Sequence, residues 1–508
     1  MTPPVTVLPD DAYNQALVAN VHPVDWPNPE PRNRYNLVVI GAGTAGLVCA
    51  AGAAGLGARV ALIEQHLLGG DCLNTGCVPS KALIRAARAA HEARTGAVYG
   101  LRPDPKSAPP DFAAIMTRMR RLRAEISRHD SARRFRDQLG VDVFLGEARF
   151  TGADCVEVAG RRLTFHRAAL CTGARAALPD IPGLSAAEPL TNETLFTLTS
   201  LPRRLAVLGG GPVGCEMAQA FARFGSRVTL VQHGPQLLAR EDSEVADLLA
   251  TVFAREGIEV RLGSRVTAVR IEGAERVLDL DDAGGAGQLR VDAILVAAGR
   301  APNVEGLGLE VAGIDFDRHG VRVDDRLQTT NPRVFAAGDL CSAFKFTHAA
   351  DAQARILLAN ALFPGRQKVS RLVIPWCTFT DPEIAHVGLT AAQAEARGMK
   401  TTTLTVALAE VDRCVLDGES EGFARVHLRR GTDTILGATI VGRHAGEMIA
   451  ELALAITAGL GLGVIGRTIH PYPTRTEAVR KLADAWSRTR LTPTLRRLFA
   501  GWLAWRRW

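Results

Sequence analysis

Hydrophobic positions fall into two near-identical runs, one early in the chain and one near its middle. Leu37-Val38-Val39-Ile40 is a short, largely β-branched stretch, the mark of a strand buried on both faces of a parallel sheet. An Ala-rich helical stretch continues to about Gly57, and Arg59-Val60-Ala61-Leu62-Ile63 predicts a second strand that ends in Glu64. The same order returns as Leu205-Ala206-Val207-Leu208, a helix, and Arg227-Val228-Thr229-Leu230-Val231. From about Arg371 the pattern shifts to alternating strands, Phe423–Leu428 and Thr434–Val441, followed by a long apolar helix over roughly 444 to 461. That predicts an α+β segment distinct from the two repeats. Residues 1 to 34 read as a loosely structured extension, because Pro23, Pro27, Pro29 and Pro31 deny it a regular helix or a central strand. No uninterrupted apolar run reaches the roughly 18 residues that a membrane-crossing helix needs.

The residues joining strand to helix give each repeat a chemistry. Gly41-Ala42-Gly43-Thr44-Ala45-Gly46 follows the first strand at once. Its first glycine allows a tight turn, its second lets the backbone approach a diphosphate, and its third lets helix and strand pack closely. Glu64 then stands where an acid can bond a ribose hydroxyl. Gly209-Gly210-Gly211-Pro212-Val213-Gly214 repeats the fingerprint, so two dinucleotides are expected. The second unit ends in Gln232-His233, where the first has an acid. A carboxylate there repels a 2′-phosphate and a neutral or basic pair tolerates it, which favours NADPH over NADH. Two further glycines follow strands, in Leu170-Cys171-Thr172-Gly173 and in Val334-Phe335-Ala336-Ala337-Gly338-Asp339, and Gly299 closes another; each offers a backbone that can lie against a cofactor.

A chain of 508 residues exceeds what one hydrophobic core usually serves, so several domains are expected. The net charge of +7 favours anionic ligands such as dinucleotides; no dense basic run interleaved with aromatics argues for nucleic acid. The N-terminus is acidic and Pro-rich, unlike a secretory signal, and a cytoplasmic location is expected. Of nine cysteines only Cys72 and Cys77 lie close together, and one close pair in such a chain reads as catalytic or metal-binding.

The pair sits in Gly69-Gly70-Asp71-Cys72-Leu73-Asn74-Thr75-Gly76-Cys77-Val78-Pro79-Ser80-Lys81. In a regular helix, residues five apart are separated by about 7.5 Å of rise. That exceeds the ~7 Å between Cα atoms that a disulfide spans, so local distortion is needed, and Asn74 and Gly76 permit it. A helix starting near Pro79 would leave Cys77 at its positive end, with Lys81 one turn on; both effects stabilise a thiolate.

At these residues, and over about Tyr35 to Lys481, the chain resembles the class I pyridine nucleotide–disulfide oxidoreductases, which include dihydrolipoamide dehydrogenase, glutathione reductase and mercuric reductase. The resemblance rests on both fingerprints, the G-G-D-C-x4-C-V-P-S-K motif and A-A-G-D. It implies an α/β fold class: two Rossmann-like dinucleotide-binding domains plus a C-terminal α+β dimerisation domain. The FAD-binding domain would comprise 35–178 and 300–370, the NAD(P)-binding domain 179–299, and the dimerisation domain 371–485, between the extension 1–34 and a basic aromatic tail 486–508. Gly41, Gly43, Gly46 and Glu64 would hold the adenosine diphosphate of FAD, Thr172 and Gly173 would lie against it, and Asp339 would bond its ribityl chain. Gly209, Gly211 and Gly214 would bind the nicotinamide cofactor. Lys81, paired with Glu216, would sit near the flavin, and a helix beginning near His348 would aim its N-terminus at the flavin. Cys77 would face the flavin and Cys72 the substrate. The family is homodimeric, each active site borrowing C-terminal residues of the other chain.

One departure bears on the substrate. The disulfide reductases of the family carry H-P-T-x-x-E, with the histidine as acid–base. Here His470-Pro471-Tyr472-Pro473-Thr474-Arg475-Thr476-Glu477 puts Tyr472 at that position when aligned on Pro-Thr-x-x-Glu. A tyrosine titrates near pH ~10 and is a poor proton shuttle at neutral pH. Mercuric reductase resembles the chain here, and a metal ion held by two thiolates leaves without a proton, so Cys72 and Cys77 would be transient soft-metal ligands. The tail carries no vicinal cysteines to pass Hg(II) inward, and no metal-trafficking domain precedes residue 35. Three acceptor readings follow: Hg(II) or another soft metal ion, a disulfide with His470 as base, or membrane-associated electron transfer. The last rests on the Trp-, Leu- and Arg-rich segment 495–508, which suits weak contact with a membrane surface, although packing on the protein's own surface is the simpler reading. Cys414, beside Arg413, reads as an incidental loop cysteine or as a metal relay. Cys49, Cys171 and Cys215 read as packed thiols, and Cys377 as structural.

Overall fold

The computed structural model describes residues 5–101, 109–282 and 285–507. The first four residues of the extension and Trp508 of the tail lie outside the described residues. The chain divides into two units, one of residues 1–237 and 253–372 and the other of 238–252 and 373–508.

The first unit holds both dinucleotide repeats. Strand Tyr35–Ile40 is flanked in parallel by Val60–Glu64 and by Arg161–Leu170, with Asp142–Leu145 outside the former and Val334–Ala336 beside the latter. Register brings Ile40, Leu170 and Ala336 level, so the turns after these strands open at one end of the sheet. Leu37, Val38 and Val39 are fully buried, as a strand covered on both faces requires. A second parallel sheet runs Glu259–Arg261, Arg227–Val231, Arg204–Leu208, Ala293–Val296. The helices up to residue 362, in chain order, are α1 (Ala12–Val21), α2 (Thr44–Gly55), α3 (Gly70–Asn74), α4 (Cys77–Thr95), α5 (Phe112–Ile126), α6 (Ala132–Asp137), α7 (Pro212–Phe224), α8 (Ser243–Arg255, most of it in the second unit) and α9 (Thr347–Leu362).

The extension departs from its expected irregularity. Helix α1 runs through it, started by the Asp11 carboxylate, which accepts from the Tyr13 and Asn14 amides. All four prolines fall after its last residue, so they end the helix and do not prevent it. Beyond α1, the Trp26 indole donates to the Val143 carbonyl, and the Asn28 side chain donates to the Leu145 carbonyl and accepts from its amide. Strand Asp142–Leu145 is the sheet's outer strand, and these bonds cover its open edge.

The second unit is a five-stranded antiparallel sheet, in order Trp376–Thr378, Glu383–Gly388, Ile435–Gly442, Phe423–Arg429, Thr401–Ala407. Helices Ala445–Thr457 and Glu477–Arg490 pack on it through Met448, Ile449, Leu452, Val479 and Leu482. Trp486, expected as the start of the tail, lies within the second of these helices and packs against the same core. The tail proper is a separate helix, Pro493–Trp505, with no buried residue. No helix among the described residues is long and apolar enough to cross a membrane.

Candidate active site

Each strand–turn–helix repeat leaves a helix start without a side-chain cap. Gly41 takes φ +95°, and a Cβ there would lie 2.4 Å from the Cys171 carbonyl oxygen; one on Gly46 would lie 1.8 Å from the Gly41 oxygen. The second repeat matches: a Cβ on Gly209 would lie 2.5 Å from the Ala297 oxygen, and one on Gly214 1.9 Å from the Gly209 oxygen. Gly43 and Gly211 cap α2 and α7, neither helix start receives a side-chain hydrogen bond, and nothing stands within 4 Å of a Cβ built on Gly211. The first-turn amides of both helices are thus presented to a diphosphate. The cradle fits a dinucleotide in each repeat.

The strand ends differ in charge. Glu64 accepts from the Ala42 amide at 2.7 Å and from the His66 amide at 2.8 Å, and burial raises its carboxyl pKa against those two bonds. Gln232 accepts from the Gly210 amide at 2.8 Å, the same bond made by a neutral carbonyl, with His233 exposed beside it. Thr172 and Gly173 bracket Asn303: the Thr172 hydroxyl donates to the Asn303 carbonyl, and the Asn303 amide donates to the Gly173 carbonyl. Gly338 donates its amide to Gln353, and Gly299 makes its turn at φ +126°. Asp339 meets Arg300, whose guanidinium also bonds Asp71, the residue before Cys72.

The two cysteines lie on successive helices. Cys72 is in α3 and Cys77 opens α4, two residues earlier than Pro79 suggested. Gly76 makes the break tight: a Cβ there would fall 2.7 Å from the Asp71 carbonyl oxygen. Cys72 is half-buried and Cys77 exposed. The Cys77 sulfur lies 3.2 Å from the Thr347 hydroxyl, at the first residue of α9. That helix start also lacks a side-chain cap, and His348 stacks on Phe346 beside it. Lys81, one turn into α4, donates to Glu216 on α7 at 2.7 Å.

These contacts split the two thiols. The hydrogen bond from Cys72, then that from Thr347 and the positive charge of Lys81, pull the Cys77 pKa well below the ordinary thiol value; the protein crowded around its sulfur, although the residue is exposed, and Glu216 oppose them. Cys72 is pushed up, by its bond to Cys77 and then by burial. The two shifts run in opposite directions and favour the negative charge on Cys77 and the proton on Cys72.

The C-terminal candidates lie in the second unit. Tyr472 is 71% exposed and donates to Asp412 at 2.9 Å. His470 is engaged at both nitrogens, Nε2 with Glu451 at 2.9 Å and Nδ1 with the Thr468 carbonyl at 3.0 Å. Glu477 pairs with Arg480 and Lys481. Cys414 is in a short helix, Asp412–Leu416, and is fully buried; the exposed loop cysteine expected there is absent, and with it the metal relay.

A protein-family model, that of the pyridine nucleotide-disulphide oxidoreductases, matches residues 35–354. The chain belongs to this family. The family's dimerisation domain matches residues 374–483, which supports a homodimer. Mercuric reductases are similar over 89% of the chain: that of Streptomyces lividans is 36% identical across 96% of its own length, and that of Bacillus cereus 34% across 72%. A dihydrolipoyl dehydrogenase of Thermus scotoductus is 34% identical across 97% of its length. Among solved structures, the HOCl-induced flavoprotein disulfide reductase RclA from Escherichia coli superposes with a TM-score of 0.80 at 29% identity, covering 89% of this chain and 99% of that one. This pyridine nucleotide-disulphide oxidoreductase is therefore an NAD(P)H-dependent flavoprotein enzyme with FAD and NAD(P)H as its cofactors.

Proposed function

We propose that the enzyme reduces thiol-bound soft metal ions, Hg(II) foremost, with electrons from NADPH. The observation that carries the reading is Tyr472 at the family's acid–base position, hydrogen-bonded to Asp412 and distant in chemistry from an imidazole. A disulfide acceptor needs a proton for its leaving thiolate; a metal ion does not. The mercuric reductase relatives favour the same choice. The neutral Gln232 and exposed His233 support NADPH.

Bound FAD supplies the two-electron relay between nicotinamide and dithiol. Gly41, Gly43, Gly46, Glu64, Thr172, Gly173, Gly338 and Asp339 would hold it, with His348 at the start of α9. Gly209, Gly211, Gly214, Gln232, His233 and Gly299 would serve the nicotinamide dinucleotide. Thr347 and Lys81 keep Cys77 as a thiolate, and Cys72 releases its proton when the metal binds. Two soft sulfur ligands then hold Hg(II). Reducing it to Hg(0) takes two electrons, and one NADPH carries two.

The second reading, a disulfide acceptor, draws on the dihydrolipoyl dehydrogenase and RclA likenesses. It would need His470 to leave Glu451. NADPH oxidation with thiol-complexed Hg(II), run beside lipoamide and glutathione disulfide with C77A as control, separates the two. Turnover with a disulfide alone overturns the metal reading.

For the tail, an anionic bilayer is the partner its charge fits. Residues 485–507 carry six arginines and no acid. Leu498, Phe499, Trp502, Leu503 and Trp505 are exposed on helix Pro493–Trp505, with Arg496 at the edge of the face they form and Arg497 turned away from it.

A further inference from the structure

Helix α1 lies outside the residues matched by both family models, and no likeness assigns it a task. Its packing supplies one. Asn14 is 1% exposed, Arg123 on α5 is 3% and Asn74 is 4%. The Arg123 guanidinium donates through Nη2 to Asn14 Oδ1 at 2.7 Å and through Nη1 to the Asn74 carbonyl at 2.6 Å. Asn14 is itself fixed, its amide NH2 donating to the Pro9 carbonyl and its backbone amide to Asp11. Asp11 also pairs with Arg120, one turn before Arg123 on the same helix.

Asn74 is the last residue of α3, two positions after Cys72 and three before Cys77. Its carbonyl is one of those a helix end leaves without an intrahelical partner. Its side chain donates to the Leu68 and Gly70 carbonyls, so the residue locks the whole motif from Leu68 to the break at Thr75-Gly76. A buried guanidinium with two planar acceptors is held in one orientation, and removing one acceptor leaves a buried donor unsatisfied.

We infer that α1 is a positioning element for the redox dithiol: Asn14 aims the Arg123 guanidinium at the Asn74 carbonyl, and Arg123 holds α3, with Cys72, in hydrogen-bonding reach of Cys77 on α4. Neither Asn14 nor Arg123 touches a thiol; both act through Asn74. The inference goes beyond the proposed reaction and holds whichever acceptor the enzyme uses. Its physical content is geometric: the end of α3, two residues beyond Cys72, is held by a guanidinium whose direction is set by a residue at the start of the chain.

The test uses the full-length, FAD-loaded protein with Asn14→Ala and Asn14→Asp. Aspartate keeps an acceptor for Arg123; alanine removes it. Two quantities are read: the pH midpoint of the Cys77 thiolate absorbance in the reduced protein, and the dithiol–disulfide equilibrium against dithiothreitol. Asn14→Ala is expected to raise the thiolate midpoint by about one pH unit and to weaken disulfide formation about tenfold, the size of effect a lost buried charged hydrogen bond has. Asn14→Asp should restore both, while FAD content and the KM for NADPH stay at wild-type values in each variant. Should Asn14→Ala fail to accumulate, Arg123→Lys, which reaches one acceptor at a time, is expected to move both readings in the same direction. Unchanged readings in a folded Asn14→Ala or Arg123→Lys, or equal shifts in Asn14→Ala and Asn14→Asp, overturn the inference. A failure with Hg(II) as acceptor leaves both readings untouched, so the two proposals fall separately.

Discussion

Lys81 on α4 and Glu216 on α7 meet at 2.7 Å, a pair that ties the dithiol helix to the helix of the second dinucleotide repeat. Glu216 is deeply buried and Lys81 partly open, so the two changes are unequal. Lys81→Met removes a cation from beside a buried carboxylate and is expected to cost about 1–2 kcal/mol, discounted for the lysine's exposure. Glu216→Gln leaves Lys81 able to reach solvent and should cost less. A double-mutant cycle on thermal unfolding checks the coupling between them.

Cys77 should be the thiol of the reduced enzyme that ionises first. Its thiolate absorbance is expected to rise with pH through about 6, the value to which its neighbours lower it. Cys72→Ser keeps a donor to Cys77 and should hold that midpoint, whereas Cys72→Ala and Thr347→Val should each raise it. An ultraviolet titration of the thiolate across pH 4 to 10 (roughly the titration range of a perturbed thiol) decides.

Tyr472 separates acceptors. Tyr472→His is expected to raise lipoamide or glutathione disulfide turnover by roughly 10- to 100-fold, the low end of general acid–base assistance. It should lower or leave unchanged turnover with Hg(II). Equal gains with both acceptors would remove the argument from Tyr472.

His386, in strand Glu383–Gly388, bonds the Thr439 hydroxyl and the Gly388 carbonyl under the Trp376 ring. Burial lowers its pKa to about 4, with His427 adding to the effect and Asp242 opposing it. The native state thus takes up the proton later than the unfolded chain. Stability should fall as pH drops from ~6.5 towards 4, by up to about 3 kcal/mol, and level off below. The Tm–pH slope over that window should flatten in His386→Gln.

The tail should sediment with anionic vesicles at low salt and not with neutral ones, and lose that behaviour when residues 491–508 are removed. Equal sedimentation of the shortened protein ends the lipid reading. A change of oligomeric state on removal would assign the helix to a second copy of the chain.

Both glycine fingerprints and the cysteine pair were legible because their requirements are local: a Cβ at Gly46 or Gly214 collides with its own turn. The meeting of Lys81 with Glu216 followed from resemblance, and the structure places the two together. Thr347 and Arg300 left no signal, since they reach Cys77 and Asp71 across 270 and 229 residues and each is a common residue type in an ordinary context. Helix α1 was missed because prolines were weighed by number and not by position; Asp11 at its start was the overlooked mark. Cys414 was misplaced in a loop because a five-residue helix shows no periodicity.

Trp26 and Asn28 occupy the hydrogen-bonding groups of the outer strand Asp142–Leu145. Stripped of them, that strand would present a row of free amides and carbonyls flanked by Val143 and Phe144, a template on which another chain could add itself. By covering that edge, the opening residues would oppose such pairing. A protein shortened by proteolysis near Pro31 would bare this edge and lose the Asn14 contact together, and is expected to self-associate.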